Sequence, residues 1–223
     1  MKKLIVVLFL GSSLMLMGCA AKTDIQYSPP SQNEGKNSRV YSHNVEQVWD
    51  AAIKAVGEQF FVLDNIERDS KIITLSFSSQ DPNSFVDCGK FTVTNSGGMS
   101  GKGVTSYYGA QSRAEFLVAD DTPHPKPSSR TTSLSGKSNI LVSSEGTTKT
   151  KVSVMTRYVL DVSFEGVRYI PVGFSGFNQS VRDSDVVSFN CGETGRSNKG
   201  SAQCVSRFTL EKNILDAIEA KLR

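Results

Sequence analysis

Four cysteines and two histidines carry the most specific chemistry of this 223-residue chain: Cys19, Cys88, Cys191 and Cys204, with His43 and His124. The histidines stand far apart, and neither shares a motif with a cysteine. That spacing supports neither a multi-histidine metal centre nor a thiol activated by imidazole. Asp64, Glu67 and Asp69 cluster in a segment that reads as a turn, where Asp bonds its own backbone for local reasons. There is no Asp-x-Asp-x-Asp-Gly calcium loop, and Asp120-Asp121 reads as a solvated pair before a proline-rich stretch. The glycines and lysine of residues 96–103 resemble a phosphate loop in part. Ser96 stands where G-x-x-x-x-G-K-[ST] needs its first glycine, and Gly103 where it needs a hydroxyl. No Gly-x-Ser-x-Gly, His-Glu-x-x-His or ordered Ser/His/Asp set occurs. The sequence therefore nominates no catalytic residue, no metal ligand and no bound cofactor. It does nominate a contact surface, the adjacent aromatics Tyr107-Tyr108 among Gly and Ser residues.

Composition narrows the class. The chain is 38% hydrophobic and 21% charged, with a net charge of +3. It is too polar for a multi-span membrane protein and too weakly charged to bind nucleic acid through a basic field. Much of the charge lies in an N-terminal leader. Lys2 and Lys3 precede an apolar run from Leu4 to Met17, shorter than the roughly 20 residues of a spanning helix. The run ends in Leu16-Met17-Gly18-Cys19, which resembles the lipobox of bacterial lipoprotein precursors. The resemblance implies residues 1–18 as a signal peptide cut between Gly18 and Cys19. It further implies a diacylglycerol on the Cys19 thiol and an acyl group, palmitate or similar, on the new amine. Several acyl chains anchor a protein to a membrane durably where one does not. Ala20 and Ala21 follow Cys19. By resemblance to enterobacterial lipoproteins, which use Asp there for inner-membrane retention, this favours the outer membrane, the domain facing the periplasm or the cell surface. Losing two lysines and no acid leaves 23 basic against 22 acidic residues.

With Cys19 lipidated, Cys88, Cys191 and Cys204 remain, an odd number for an oxidising compartment. Proximity favours Cys191–Cys204 across a short Gly/Ser-rich loop. The look-alike contexts Asp87-Cys88-Gly89 and Asn190-Cys191-Gly192 keep Cys88–Cys191 and Cys88–Cys204 open.

The elements that must position these residues follow from periodicity. Residues 19–38, polar and containing Pro29-Pro30, read as the lipidated cysteine and a flexible tether. Residues 39–223 read as one α+β periplasmic domain with mobile loops near 94–112 and 120–137. Asn44 predicts an N-cap, with Gln47 completing a capping box, for a helix bearing Val45, Val48, Trp49, Ala52, Val56 and Phe60. The apolar runs 60–66 and 71–79 predict a β-hairpin around Glu67-Arg68-Asp69-Ser70. Further strands are expected at 85–93, 113–119, 138–144 and 184–190. Thr150 to Phe164 alternates most regularly, with Val152, Val154, Thr156, Tyr158, Leu160, Val162 and Phe164 on one face. A closing helix from Thr209 carries Leu210, Ile214, Ala217, Ile218 and Leu222. The expectation is one antiparallel sheet, one face buried beneath an N-proximal and a C-terminal amphipathic helix.

The lipobox, the polar segment, Val-Glu-Gln-Val-Trp-Asp-Ala-Ala at 45–52 and the hairpin sequence at 61–73 resemble the opening of BamC-type domains. These belong to accessory lipoproteins of the outer-membrane β-barrel assembly machinery, and helix-grip domains begin similarly. The resemblance implies a lipid-anchored, non-catalytic assembly or interaction factor whose partners are the membrane and envelope proteins. The alternative is a periplasmic domain binding an apolar ligand between sheet and helix.

Overall fold

A computed structural model describes residues 21–59, 62–96, 102–119, 125–172, 175–200 and 202–223. In chain order it builds β1 (Lys22–Ser28), β2 (Ser38–Tyr41), α1 (Val45–Gly57), β3 (Val62–Glu67), β4 (Ile72–Ser79), a 3-10 turn (Pro82–Ser84) and β5 (Val86–Asp87). Then come β6 (Lys90–Ser96), β7 (Gly103–Tyr108), β8 (Arg113–Val118), β9 (Lys126–Ser144), β10 (Thr150–Val172) and β11 (Ser175–Asn190). The chain closes with β12 (Thr194–Arg196), β13 (Gln203–Ser206) and α2 (Thr209–Leu222). The described pairings are antiparallel, and the class is α+β.

The alternating run from Thr150 becomes β10, the strand that organises the rest. It pairs with β9 from Thr150↔Ser144 to Gly166↔Ser128. Both strands are long enough to take two neighbours in succession on their outer edges. On β9, β8 pairs with Lys126–Thr131 and β4 with Leu134–Leu141, and β3 adds to β4. On β10, β2 pairs with Thr150–Ser153 and β11 with Arg157–Val172. The predicted buried face is the observed one. Val152, Val154, Thr156, Tyr158, Leu160 and Val162 are buried and Phe164 is half-buried, while Met155, Arg157, Asp161 and Ser163 face out.

Two helices cover one half of that face. Asn44 Oδ1 accepts the Gln47 amide at 3.0 Å, so α1 starts at the predicted cap. The Gln47 side chain accepts the Asn44 amide at 3.2 Å and completes the box. Helix α1 buries Val48, Trp49, Ala51, Ala52, Ala55 and Val56, whereas Phe60, expected on the same stripe, lies outside the described residues. Helix α2 buries Leu210, Ile214, Leu215 and Ile218, with Ala217 and Leu222 packed at the margin. Each large aliphatic side chain among them contributes about 1.5–3 kcal/mol on leaving water. Arg39 of β2 pins α2 from the sheet edge, at 2.7 Å from Asp216 and 2.6 Å from Glu219. Beside it the Tyr41 hydroxyl donates to the Leu215 carbonyl at 2.8 Å, and burial pushes its pKa up to about 12.

Several expectations need correction. Among the described residues there are three sheets instead of one: the seven-stranded sheet, β1-β6-β7, and β12-β13-β5. The segment expected as a tether contains β1, whose seven residues all pair with β6, and the start of β2 at Ser38. Within the loop expected near 94–112, residues 94–96 end β6 and 103–108 form β7, while 97–101 lie outside the described residues. The loop expected near 120–137 is strand from Lys126, the first part of β9. The 85–93 strand divides into β5 and β6 at Cys88-Gly89. There Gly89 has a φ of 71°, and a Cβ would sit 2.2 Å from the Ser28 carbonyl, so only glycine fits. The 184–190 strand is the end of the much longer β11.

Candidate functional site

Cys88 and Cys204 form a disulfide, so the pairing favoured by proximity, Cys191–Cys204, is not the one made. Strand pairing explains the choice. Val205 lies opposite Asp87, which brings the next residue on one strand beside the preceding residue on the other. The bond closes a separation of 116 residues. The chain-entropy account gives a loop of that size about 5 kcal/mol of stabilisation. Cys191 stays free and buried. Its sulfur receives the Thr156 amide at 3.4 Å, and burial pushes the thiol pKa up, which suits an inert packing residue.

Tyr107 and Tyr108 lie on β7, where alternation sends them to opposite sides. Tyr108 is 52% exposed on the outer side, and Tyr107 is buried. The structure thus separates the two members of the expected contact loop. Tyr107 stacks on Phe91 (5.4 Å) and Phe116 (5.3 Å). It helps enclose Arg130, whose guanidinium carbon lies 5.8–6.0 Å from the rings of Phe91, Tyr107 and Phe164. Burial lowers the Arg130 pKa to about 10, leaving it cationic at neutral pH, and its Nη1 has no hydrogen-bond partner among the described residues. The cation faces ring quadrupoles in place of a carboxylate. This cage joins the small β1-β6-β7 sheet to the long one.

Tyr158 donates to the Glu211 carboxylate beneath the helices, with both oxygens at 2.9 Å. Glu211 is fully buried in the first turn of α2, where the helix N-terminus favours negative charge. Burial first, and the adjacent carboxylate second, push the Tyr158 hydroxyl pKa upward. Among the described residues, no three His, Cys, Asp or Glu side chains gather as a metal site.

The feature that the sequence did not announce is at the other end of the long sheet. Strand β9 stops pairing with β10 at Gly166, but β10 and β11 continue together to Val172↔Ser175 as a two-stranded arm. Ile170 and Phe177 lie opposite each other, and Val172 and Val181 share their side of the ribbon. That side carries Phe164, Val162 and Leu160 nearer the core. Phe177 and Val172 are each 55% exposed and Val181 41%. Two clefts, of about 620 and 270 Å³, flank the root of the arm and share Phe116, Ser128, Gly166 and Val181. The recurrence of Phe164, Ile170 and Val172 on one side was the available signal. It lay past the point where the more regular pattern ended.

Gly18 and Cys19 lie outside the described residues, which begin at the buried Ala21. From there the chain enters β1 at the same end as the arm. The Thr23 hydroxyl accepts the Ala119 amide at 2.7 Å, just past β8, and Asn95 Nδ2 donates to the Leu117 carbonyl at 2.9 Å. Val118 in turn pairs with Lys126, the first residue of β9. Comparison with family profiles, with curated proteins and with solved structures found no significant match to this chain.

Proposed function

We propose that this protein is a lipid-anchored lipoprotein of the bacterial outer membrane, acting without catalysis as an assembly or interaction factor among envelope proteins. The observation that carries the reading is the leader, Lys2-Lys3, the apolar run and Leu16-Met17-Gly18-Cys19. The Cys88–Cys204 bond supports it, since disulfides persist in oxidising compartments such as the periplasm. A BamC-like or helix-grip arrangement is the finer form of the proposal. Its support is a Trp49-bearing helix leading into the β3–β4 hairpin, and a C-terminal helix closing over the same sheet face. The test is the intact mass of the full chain made in a bacterium, with Cys19→Ser as control. A species lacking residues 1–18 and carrying diacylglyceryl and acyl groups is expected. Crosslinking in intact cells should then recover envelope proteins with the unsubstituted chain, and an unmodified Cys19 would overturn the anchor.

A further inference from the structure

We propose that the β10–β11 arm is a second membrane attachment point, laying the stripe of Ile170, Val172, Phe177 and Val181 against the bilayer that holds the Cys19 lipid. This deepens the proposed function and rests on it.

Along β10 the apolar side runs from Val152 past Phe164 to Ile170 and Val172 without changing sides. Gly166 and the Arg168↔Gln179 pair interrupt it between the core and the tip. Helices cover the first part, while Val172, Phe177 and Val181 are more than two-fifths exposed. An isolated two-stranded ribbon is marginal in water, and one with an apolar side gains from a cover.

The position of the N-terminal segment selects the cover. Residues 1–20 join the fold at the Ala119 and Lys126 end, the end from which the arm projects. Three residue steps separate Cys19 from Lys22, at most about 11 Å of extended chain. Beyond the level of Lys126 the arm continues through Tyr169–Val172. At about 3.3 Å per residue that stretch spans about 13 Å. The two reaches agree. A lipid on Cys19 brings the bilayer surface to the depth of the arm's apolar tip, where burial of Phe177 and Val172 is favourable. Had residues 22–28 been a free tether, the domain could have stood off. Their pairing with β6 removes that slack.

The experiment uses the full chain reconstituted in vesicles of phosphatidylethanolamine and phosphatidylglycerol with brominated acyl chains. Phe177→Trp adds a fluorophore at the stripe, and the native Trp49, buried in α1, serves as internal reference in the unsubstituted protein. Docking predicts loss of most of the added emission and a blue shift relative to detergent-free buffer, with Trp49 emission unchanged. Emission of the Phe177→Trp chain that bromine leaves untouched overturns the proposal. Intact mass of the same sample reports the lipid on Cys19 separately. Lipidation without quenching leaves the anchor standing and the arm proposal overturned. Quenching in a bacterially made sample whose intact mass shows Cys19 unmodified overturns the anchor and, with it, the arm as a second attachment point. Sedimentation in buffer completes the set, because a dimer dissolved by Phe177→Ser would give the face to a second copy and overturn the proposal.

Discussion

Leu160 and Ile170 project from the same side of the same strand, and their surroundings differ entirely. Leu160 sits in a closed core with Tyr158, Ile214 and Ile218. Ile170 sits on a two-stranded ribbon opposite an exposed Phe177. The two halves share pairing, alternation and hydrophobic character. They differ in whether helices reach them, because α1 and α2 span 13 and 14 residues against 23 for β10. Stability is therefore concentrated in the covered half, and the other half is the more exposed.

The largest effect should come from the covered half's covalent tie. Replacing Cys88 and Cys204 together by Ala is expected to cost about 5 kcal/mol in denaturant unfolding. Leu160→Ala should cost about 3 kcal/mol by the same measurement, through lost burial and the cavity left behind. Tyr158→Phe leaves the buried Glu211 carboxylate without its donor. Its cost should be about 2 kcal/mol, the penalty of an unsatisfied buried acceptor. The unfolding midpoint should recover when Glu211 is also changed to Leu.

A smaller, pH-dependent effect belongs to the ion cluster on α2. Lys212 and then Arg39 hold Asp216 below the usual carboxylate range, and Arg223, followed by Arg39, does the same for Glu219. A depressed folded value stabilises above the unfolded carboxylate pKa, about 4, and that contribution is lost as pH falls through the folded value. Arg39→Met should thus lower the melting temperature at neutral pH and leave it little changed in acid, flattening the decline on acidification. Smallest of all is Phe177→Ser, whose side chain is already largely solvated. It should move stability by less than about 0.5 kcal/mol, as surface substitutions do. A cost there as large as that of Leu160→Ala would show that the arm is folded into the core after all.

The contrast also explains what the sequence disclosed. The capping box at Asn44 and Gln47, the β3–β4 hairpin and the inward face of β10 were legible because each rests on a local rule or on one-sided burial. Most of strand β9 was hidden by its polar composition. Its inward positions include Arg130, Thr132 and Ser138, made tolerable by an aromatic cage, by the Gln111 carbonyl at 2.9 Å and by the Thr156 hydroxyl at 2.7 Å. None of these partners is near in sequence. Strand β1 was hidden because it reads as linker until β6 is placed beside it. Tyr27 finds its partners far along the chain, the Phe91 ring at 4.7 Å and the Gln203 amide, which donates to the phenol at 2.8 Å. The cysteine pairing depended on the same long-range registration.

That pairing has a consequence for how the chain matures. Cys204 is the last cysteine to be synthesised, and β9, β10 and β11 all lie within the ring it closes. The next thiol after Cys88 along the chain is Cys191, the wrong one. A correct bond requires either late oxidation or exchange, and exchange proceeds through an attacking thiolate. In that exchange Cys204 attacks and Cys191 leaves, and once Cys191 is sealed against Thr156 and Val154 it cannot attack the finished bond in turn. Docking of β11 therefore shields the Cys88–Cys204 bond from the one other cysteine among the described residues.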